Sequence, residues 1–277
     1  MPLIAIIGAG PIGAALAHKL AGRGRVREIR LIDTEERIAA GKALDIRQSG
    51  PIENFATRVT AFGHPASAAG ADVVILADHA SGAGEHTGEA GLGLLRQIVA
   101  LGITSPIVFA GCEQRVLMAR AIGELHVPQA RIVGAAPFAL EAALRALAGV
   151  ALDGSGVEVS LQIVGVPPKQ AVVAWEEATA FGQPISSQLP AHEIAALSAR
   201  IPGLWPQGPY ALGSACARVV EAIALGSRRR YSCFVSLGRG RVAALPIELG
   251  PDGIRRILEP SLTRQERTML ENALGGD

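Results

Sequence analysis

Hydrophobic and polar positions alternate in blocks along this chain. Leu3-Ile4-Ala5-Ile6-Ile7 is an unbroken apolar run, which predicts a strand buried on both faces of a parallel sheet. A glycine turn follows, Gly8-Ala9-Gly10-Pro11-Ile12-Gly13, and then helical spacing over 14–20. The same order recurs. Strands are predicted over 28–33, 58–61, 72–77, 106–110 and 131–134, and helices over 34–48, 90–101 and 114–125. The helix from 34 is expected to stop before Ser49-Gly50-Pro51, and the Gly- and Ser-rich stretch 78–88 to form a long flexible loop. This alternation predicts an α/β fold with a doubly wound parallel sheet over 1–136. The pattern changes over 137–277, read as a second, α+β domain. It has an Ala-rich helix over 138–147, a strand over 157–164 broken by Gly165-Val166-Pro167-Pro168, and helices over 192–201 and 210–225. Strands over 231–237 and 242–249 and a last helix over 264–274 follow. Thr263 and Glu266 have the spacing of a capping box.

The first turn carries candidate chemistry. Gly8 permits a tight turn, Gly10 allows close approach to a pyrophosphate, and Gly13 lets the helix lie against the strand. The helix N-terminus, with Pro11 and Ile12, presents free N–H groups and a positive dipole end. Asp33 closes the second strand 20 residues after Gly13, where a carboxylate accepts from a ribose 2′-hydroxyl and repels a 2′-phosphate. The expected cofactor is NAD, held by Gly8, Gly10, Pro11, Ile12, Gly13, Asp33, Ala77 and Asp78 in a Rossmann-type sheet.

Composition narrows the rest. Of 277 residues 49% are hydrophobic and 18% charged, with net charge +1, so the chain is globular and no nucleic-acid or membrane partner is expected. Cys112, Cys216 and Cys233 are too few and too scattered for a disulfide framework or a zinc site, and no metal is expected. The chain starts directly in its first strand, without a basic leader, so a cytoplasmic location is expected.

Several stretches in order resemble the lactate/malate dehydrogenase family. Gly41-Lys42-Ala43-Leu44-Asp45-Ile46 resembles its G-x-A-x-D-L helix, and Arg131-Ile132-Val133-Gly134 its R-V-I-G strand. Residues 217–223, Ala-Arg-Val-Val-Glu-Ala-Ile, resemble its long C-terminal helix, and Leu245-Pro246-Ile247-Glu248-Leu249-Gly250 its closing hairpin. The resemblance implies hydride transfer between NAD and a 2-hydroxy acid. It also implies a proton-shuttling His oriented by an Asp, an Arg gripping the substrate carboxylate, and a loop Arg and an Asn at the carbonyl. At those positions this chain has Pro167 for the His, Leu140 for the Asp and Ala143 for the carboxylate Arg. The loop arginines become Ser81 and Thr87, and the Asn becomes Cys112. The main expectation is therefore an NAD-binding relative without ordinary lactate or malate turnover: a sensor, an atypical ligand binder or a partner subunit. The alternative is an active NAD-dependent oxidoreductase with substitute residues, for which the loop histidines His79 and His86 are the candidates. Asp78 stands where the family has Gly, and either repels the pyrophosphate or turns outward. Cys112 is expected to be inert, Lys169 a surface lysine, and Glu141 with Arg145 a surface ion pair. The resemblance implies a homodimer or homotetramer and a small-molecule ligand.

Overall fold

A computed structural model describes residues 1–275; Gly276 and Asp277, the end of the expected second domain, lie outside the described residues. The alternating blocks form β1 (Leu3–Ile7), α1 (Pro11–Gly22), β2 (Glu28–Ile32), α2 (Glu36–Glu53), β3 (Arg58–Phe62), β4 (Val73–Leu76), α3 (Gly88–Ala100), β5 (Ile107–Phe109), α4 (Arg115–Leu125) and β6 (Ile132–Gly134). These six strands are parallel, in the order β3-β2-β1-β4-β5-β6. Ile6 stands beside Leu31 on one side and Ile75 on the other. All three are fully buried, as expected for strands covered by helices on both faces. The carboxyl ends of β1, β4 and β5 lie along one edge, at Gly8, Ala77 and Ala110.

The rest of the chain forms α5 (Ala136–Ala151), β7 (Val159–Ser160), β8 (Ile163–Val166), β9 (Gln170–Val173), β10 (Thr179–Ala180), β11 (Gln183–Pro184), α6 (Ala191–Ala199), α7 (Pro209–Leu225), β12 (Tyr231–Gly238), β13 (Arg241–Gly250), β14 (Gly253–Ile257) and α8 (Arg264–Gly275). The sheet continues beyond β6 through β12, β13, β8 and β9, now antiparallel, while β11, β10 and β7 make a small separate sheet. The larger core joins the parallel sheet to α7, β12 and β13; a second core gathers Leu140, Leu144, Ile163, Ile185 and Leu197. Helix α7 packs closely on α1. A side chain at Gly213 would meet the backbone N of Leu16 at 2.8 Å, so Gly is what lets the helices approach.

The structure departs from the sequence expectations at three places. Helix α2 runs through Ser49-Gly50-Pro51 and ends at Asn54, which is left-handed (φ 59°) and donates its N–H to Gly50 O. Pro51 removes one N–H, but the bond from Phe55 N to Gly50 O (3.1 Å) also anchors that last turn. The single strand expected over 157–164 is two strands in different sheets, because the chain crosses between them at Leu161-Gln162. Strands β9, β10, β11 and β14 were not anticipated; they are short, or, like Gly253-Ile254-Arg255-Arg256-Ile257, carry charged residues on an edge. The capping box is present: Thr263 N donates to Glu266 Oε2 (2.8 Å) and Glu266 N to Thr263 Oγ1 (3.2 Å).

Candidate active site

The site begins where β1 breaks. Gly8 has φ +106°, and a side chain at Gly13 would overlap the carbonyl of Gly8, so both glycines are needed for the strand–turn–helix geometry. A carboxylate of the chain itself lies against the N-terminus of α1. Asp78 Oδ2 accepts from Ile12 N (3.0 Å) and Oδ1 from Gly13 N (3.0 Å), while Gly10 N donates to the Asp78 carbonyl (2.8 Å). Of the two orientations open in the sequence, Asp78 adopts the inward one and is 6% exposed. A side chain on Gly10 would run into this carboxylate, so the close approach that Gly10 permits is used by Asp78.

Asp33 is also occupied. Its carboxylate accepts from Ala9 N (2.9 Å), Ala80 N (2.9 Å) and Glu35 N (3.0 Å). Burial alone would raise its pKa, but the three N–H donors hold the carboxyl below the usual aspartate range. Lys42 Nζ caps the turn by donating to Ala9 O.

The loop expected to be flexible is tied down at both ends. Asp78 and Glu85 pair as an antiparallel bridge, with His79 N donating to Gly84 O (2.8 Å) and His86 N to Ala77 O (3.2 Å). Glu85 accepts from Cys112 N and Glu113 N, both at 2.8 Å, at the carboxyl end of β5. Burial pushes its carboxyl above the usual range, only partly offset by those two donors. Gln114, 1% exposed, ties the edge together. It accepts from Gly111 N (2.9 Å) and donates to Ala77 O (3.2 Å) and His86 O (3.3 Å).

His79 and His86 lie against each other with ring centroids 3.8 Å apart and ring planes tilted by 55°. They line a cavity of about 60 Å³ with Ile7, Ile32, Asp33 and Thr34, so both imidazoles stand at the Asp33 end of the cleft. Burial pushes His86 down to about 4, so it is neutral near pH 7, and its Nε2 has no partner among the described residues.

The other pocket positions are apolar or self-satisfied. Cys112 Sγ donates to Gln207 Oε1 (3.5 Å), and burial pushes the thiol up to about 12, so it carries no thiolate. Leu140 is fully buried in the second core, Ala143 is half-buried on α5, and Pro167 is buried in the turn after β8. Ser81 is exposed at the loop tip; Thr87 is half-buried just before α3, with no side-chain capping bond. Lys169 is exposed. The expected Glu141–Arg145 surface pair is corrected. Glu141 points inward, is 5% exposed, and accepts from Ser232 Oγ (2.7 Å), while Arg145 donates to Val157 O (3.2 Å). Burial pushes Glu141 up to about 7. The sequence reading missed Glu85, Gln114 and Gln207. No motif marks them, and the bonds that tie each to the site reach other segments.

A six-stranded parallel sheet in this order, with a glycine turn leading into a helix after the first strand, defines a dinucleotide-binding fold. Residues 3–113 match the model of the lactate/malate dehydrogenase family's NAD-binding domain, and NAD is the cofactor this indicates. A malate dehydrogenase of Thermomicrobium roseum is 28% identical over 98% of this chain and 94% of that protein. The solved malate dehydrogenase of Salinibacter ruber is 26% identical, with a TM-score of 0.82 over 99% of this chain and 94% of that one. The malate dehydrogenase structure from Aeropyrum pernix, at 22% identity and a TM-score of 0.88 over 98% of this chain and 95% of that one, shares the fold. These matches correct the expectation of a relative without turnover. Close to the whole chain aligns with proteins named as dehydrogenases, which favours the catalytic alternative. The turn and Asp33 have the form a dinucleotide requires. In this conformation, however, the N–H groups that would meet a pyrophosphate are bonded to Asp78. The residues as arranged do not fit the cofactor's phosphates. Among the described residues, no helix is long and apolar enough to cross a membrane.

Proposed function

We propose that this protein is an NAD-dependent oxidoreductase acting on a 2-hydroxy acid or another carbonyl substrate, with substitute residues in place of the family's usual ones. The supporting observation is the near-complete alignment with proteins named malate dehydrogenase. His79 and His86, the candidates for the proton-transferring group, stand at the Asp33 end of the cleft, where a dinucleotide's ribose rather than its nicotinamide would lie, so the reading assigns that group to no residue. The substrate positions Ser81, Thr87, Cys112, Leu140, Ala143 and Pro167 offer no cation to grip a carboxylate, which favours ketones or aldehydes with a weak or absent anionic group. Cytoplasmic location and a homodimer or homotetramer belong to the same reading and rest on the family.

The test is NADH oxidation at 340 nm by purified protein, with oxaloacetate, pyruvate, and a panel of ketones and aldehydes lacking a carboxylate. Turnover with at least one compound is expected, at or below the roughly 10 per second typical of enzymes. No turnover across the panel, with folded protein and saturating NADH, refutes the reading.

A further inference from the structure

Segment 78–87 enters the cofactor cleft as a ligand. Its first carboxylate, Asp78, takes the N–H groups of Ile12 and Gly13 at the start of α1, and its carbonyl takes that of Gly10. Its backbone N–H at Ala80 is bonded to Asp33, the residue expected to hold a ribose. Its second carboxylate, Glu85, takes the N–H groups of Cys112 and Glu113 at the end of β5. Two carboxylates bridged across one short hairpin thus fill two separate sets of backbone donors along the edge of the sheet. In a strand–turn–helix fold the first set meets the pyrophosphate of a dinucleotide. Here it meets an anion of the chain, buried at 6% exposure.

We propose that segment 78–87 is a built-in stand-in for the cofactor's phosphates, and that NAD(H) binds only when Asp78 leaves the N-terminus of α1. The inference rests on the reading of the protein as NAD-dependent. Two anions cannot share one pair of N–H donors, and a carboxylate held beside a pyrophosphate adds like-charge repulsion. Loop opening and cofactor binding are therefore one equilibrium. The apparent affinity is the intrinsic one scaled by the fraction of protein in which the loop is open. Asp78 follows directly on Ala77 at the end of β4, so its backbone is fixed by the sheet. Opening consists of withdrawing its side chain and releasing the hairpin to Thr87.

The experiment is titration of the full chain with NADH, followed by nicotinamide fluorescence, for wild type, Asp78→Asn and Asp78→Gly. Asp78→Asn keeps the side-chain shape but offers one acceptor instead of two. Both variants are expected to bind NADH at least tenfold more tightly than wild type. Limited proteolysis is expected to cut the loop at 81–84 faster in both variants than in wild type. Folded variants that bind NADH within twofold of wild type, or more weakly, overturn the proposal, including the case where none of the three binds. If the Asp78 variants do not fold, Glu85→Gln provides the same test from the other end of the hairpin. A gain of threefold or more supports the proposal, and a smaller change or a loss overturns it. The substrate panel separates the two readings. Tighter NADH binding by the variants without turnover leaves the loop inference standing and removes the oxidoreductase reading. Turnover by wild type with equal affinities does the reverse.

Discussion

Two ends of one cleft are built from different materials. At the end formed by β1, α1 and β2, carboxylates meet backbone donors: Asp33 holds three N–H groups and Asp78 two. At the other end, Leu140 has become core and Pro167 is buried in a turn, while Cys112 is closed off by Gln207. The first end keeps its polar chemistry and satisfies it internally. The second has largely exchanged polar chemistry for packing. Sites that lose their charged side chains do not stay hollow, because interiors are close-packed and an unpaired polar group left behind is costly.

The sharpest way to break that comparison is to put the family's acid back. Leu140→Asp places an unpartnered carboxylate among Leu144 and Ile163. The expected cost is about 3–5 kcal/mol, read as a lowered urea midpoint, with no gain in turnover. A stable variant with higher dehydrogenase activity would show that the second end is still a latent site. The next effect is at the first end. Burial holds His86 at about 4, well below its ordinary value, so the unfolded chain binds the extra proton between pH 6.5 and 4. Stability contributed by neutral His86 is therefore fully present above pH 6.5 and is lost as pH falls toward 4, by about 3 kcal/mol in total. His86→Phe should flatten that slope in urea melts taken at pH 7, 6 and 5. An unchanged slope means that His86 is not held neutral.

The same contrast decides what could be read from residues alone. The parallel sheet was legible because buried strands are written as apolar runs and each break is a glycine turn; β1 and β4 are clear cases. Gly8 and Gly13 were legible because their work is local, within one turn. The orientation of Asp78 was not, since both outcomes obey local rules and only the position of α1 chooses between them. Glu85 and Gln114 carry no motif, and their partners lie up to 37 residues away in the sequence. Glu141 was misread because i,i+4 spacing with Arg145 is equally compatible with a surface pair. The burial of that face of α5 against β12 cannot be seen in α5 itself. Turnover was misjudged by counting lost side chains, while the full-length likeness to malate dehydrogenases points the other way.

Gln114 tests whether the two ends are mechanically joined. Its amide links the ends of β4 and β5 and the loop at His86 through three bonds. Gln114→Ala leaves Gly111 N and His86 O without their partner, while Ala77 O keeps the bond from His86 N, for an expected loss of about 2–3 kcal/mol. Hydrogen exchange should accelerate at His86 and Gly111 together. Faster exchange at Gly111 alone would show that the loop is held only by its two carboxylates.

The smallest effect separates the ends by the sign of their pH dependence. Glu141 is buried against Ser232, and burial pushes its carboxyl up to about 7. Its folded value lies above its unfolded one, so the folded chain holds the extra proton between roughly pH 4.5 and 7. Its contribution is fully present below pH 4.5 and is lost as pH rises through 7, opposite in direction to His86. Glu141→Gln keeps the bond to Ser232 Oγ and removes the charge. It should be neutral at pH 5 and stabilising at pH 8, by on the order of 1–3 kcal/mol. Chemical melts of wild type, Glu141→Gln and His86→Phe across pH 5–8 give the two slopes separately. If Glu141→Gln destabilises at pH 8, the carboxylate is held ionised by a partner such as Arg145, and this part of the molecule has kept more of its polar chemistry than its packing suggests.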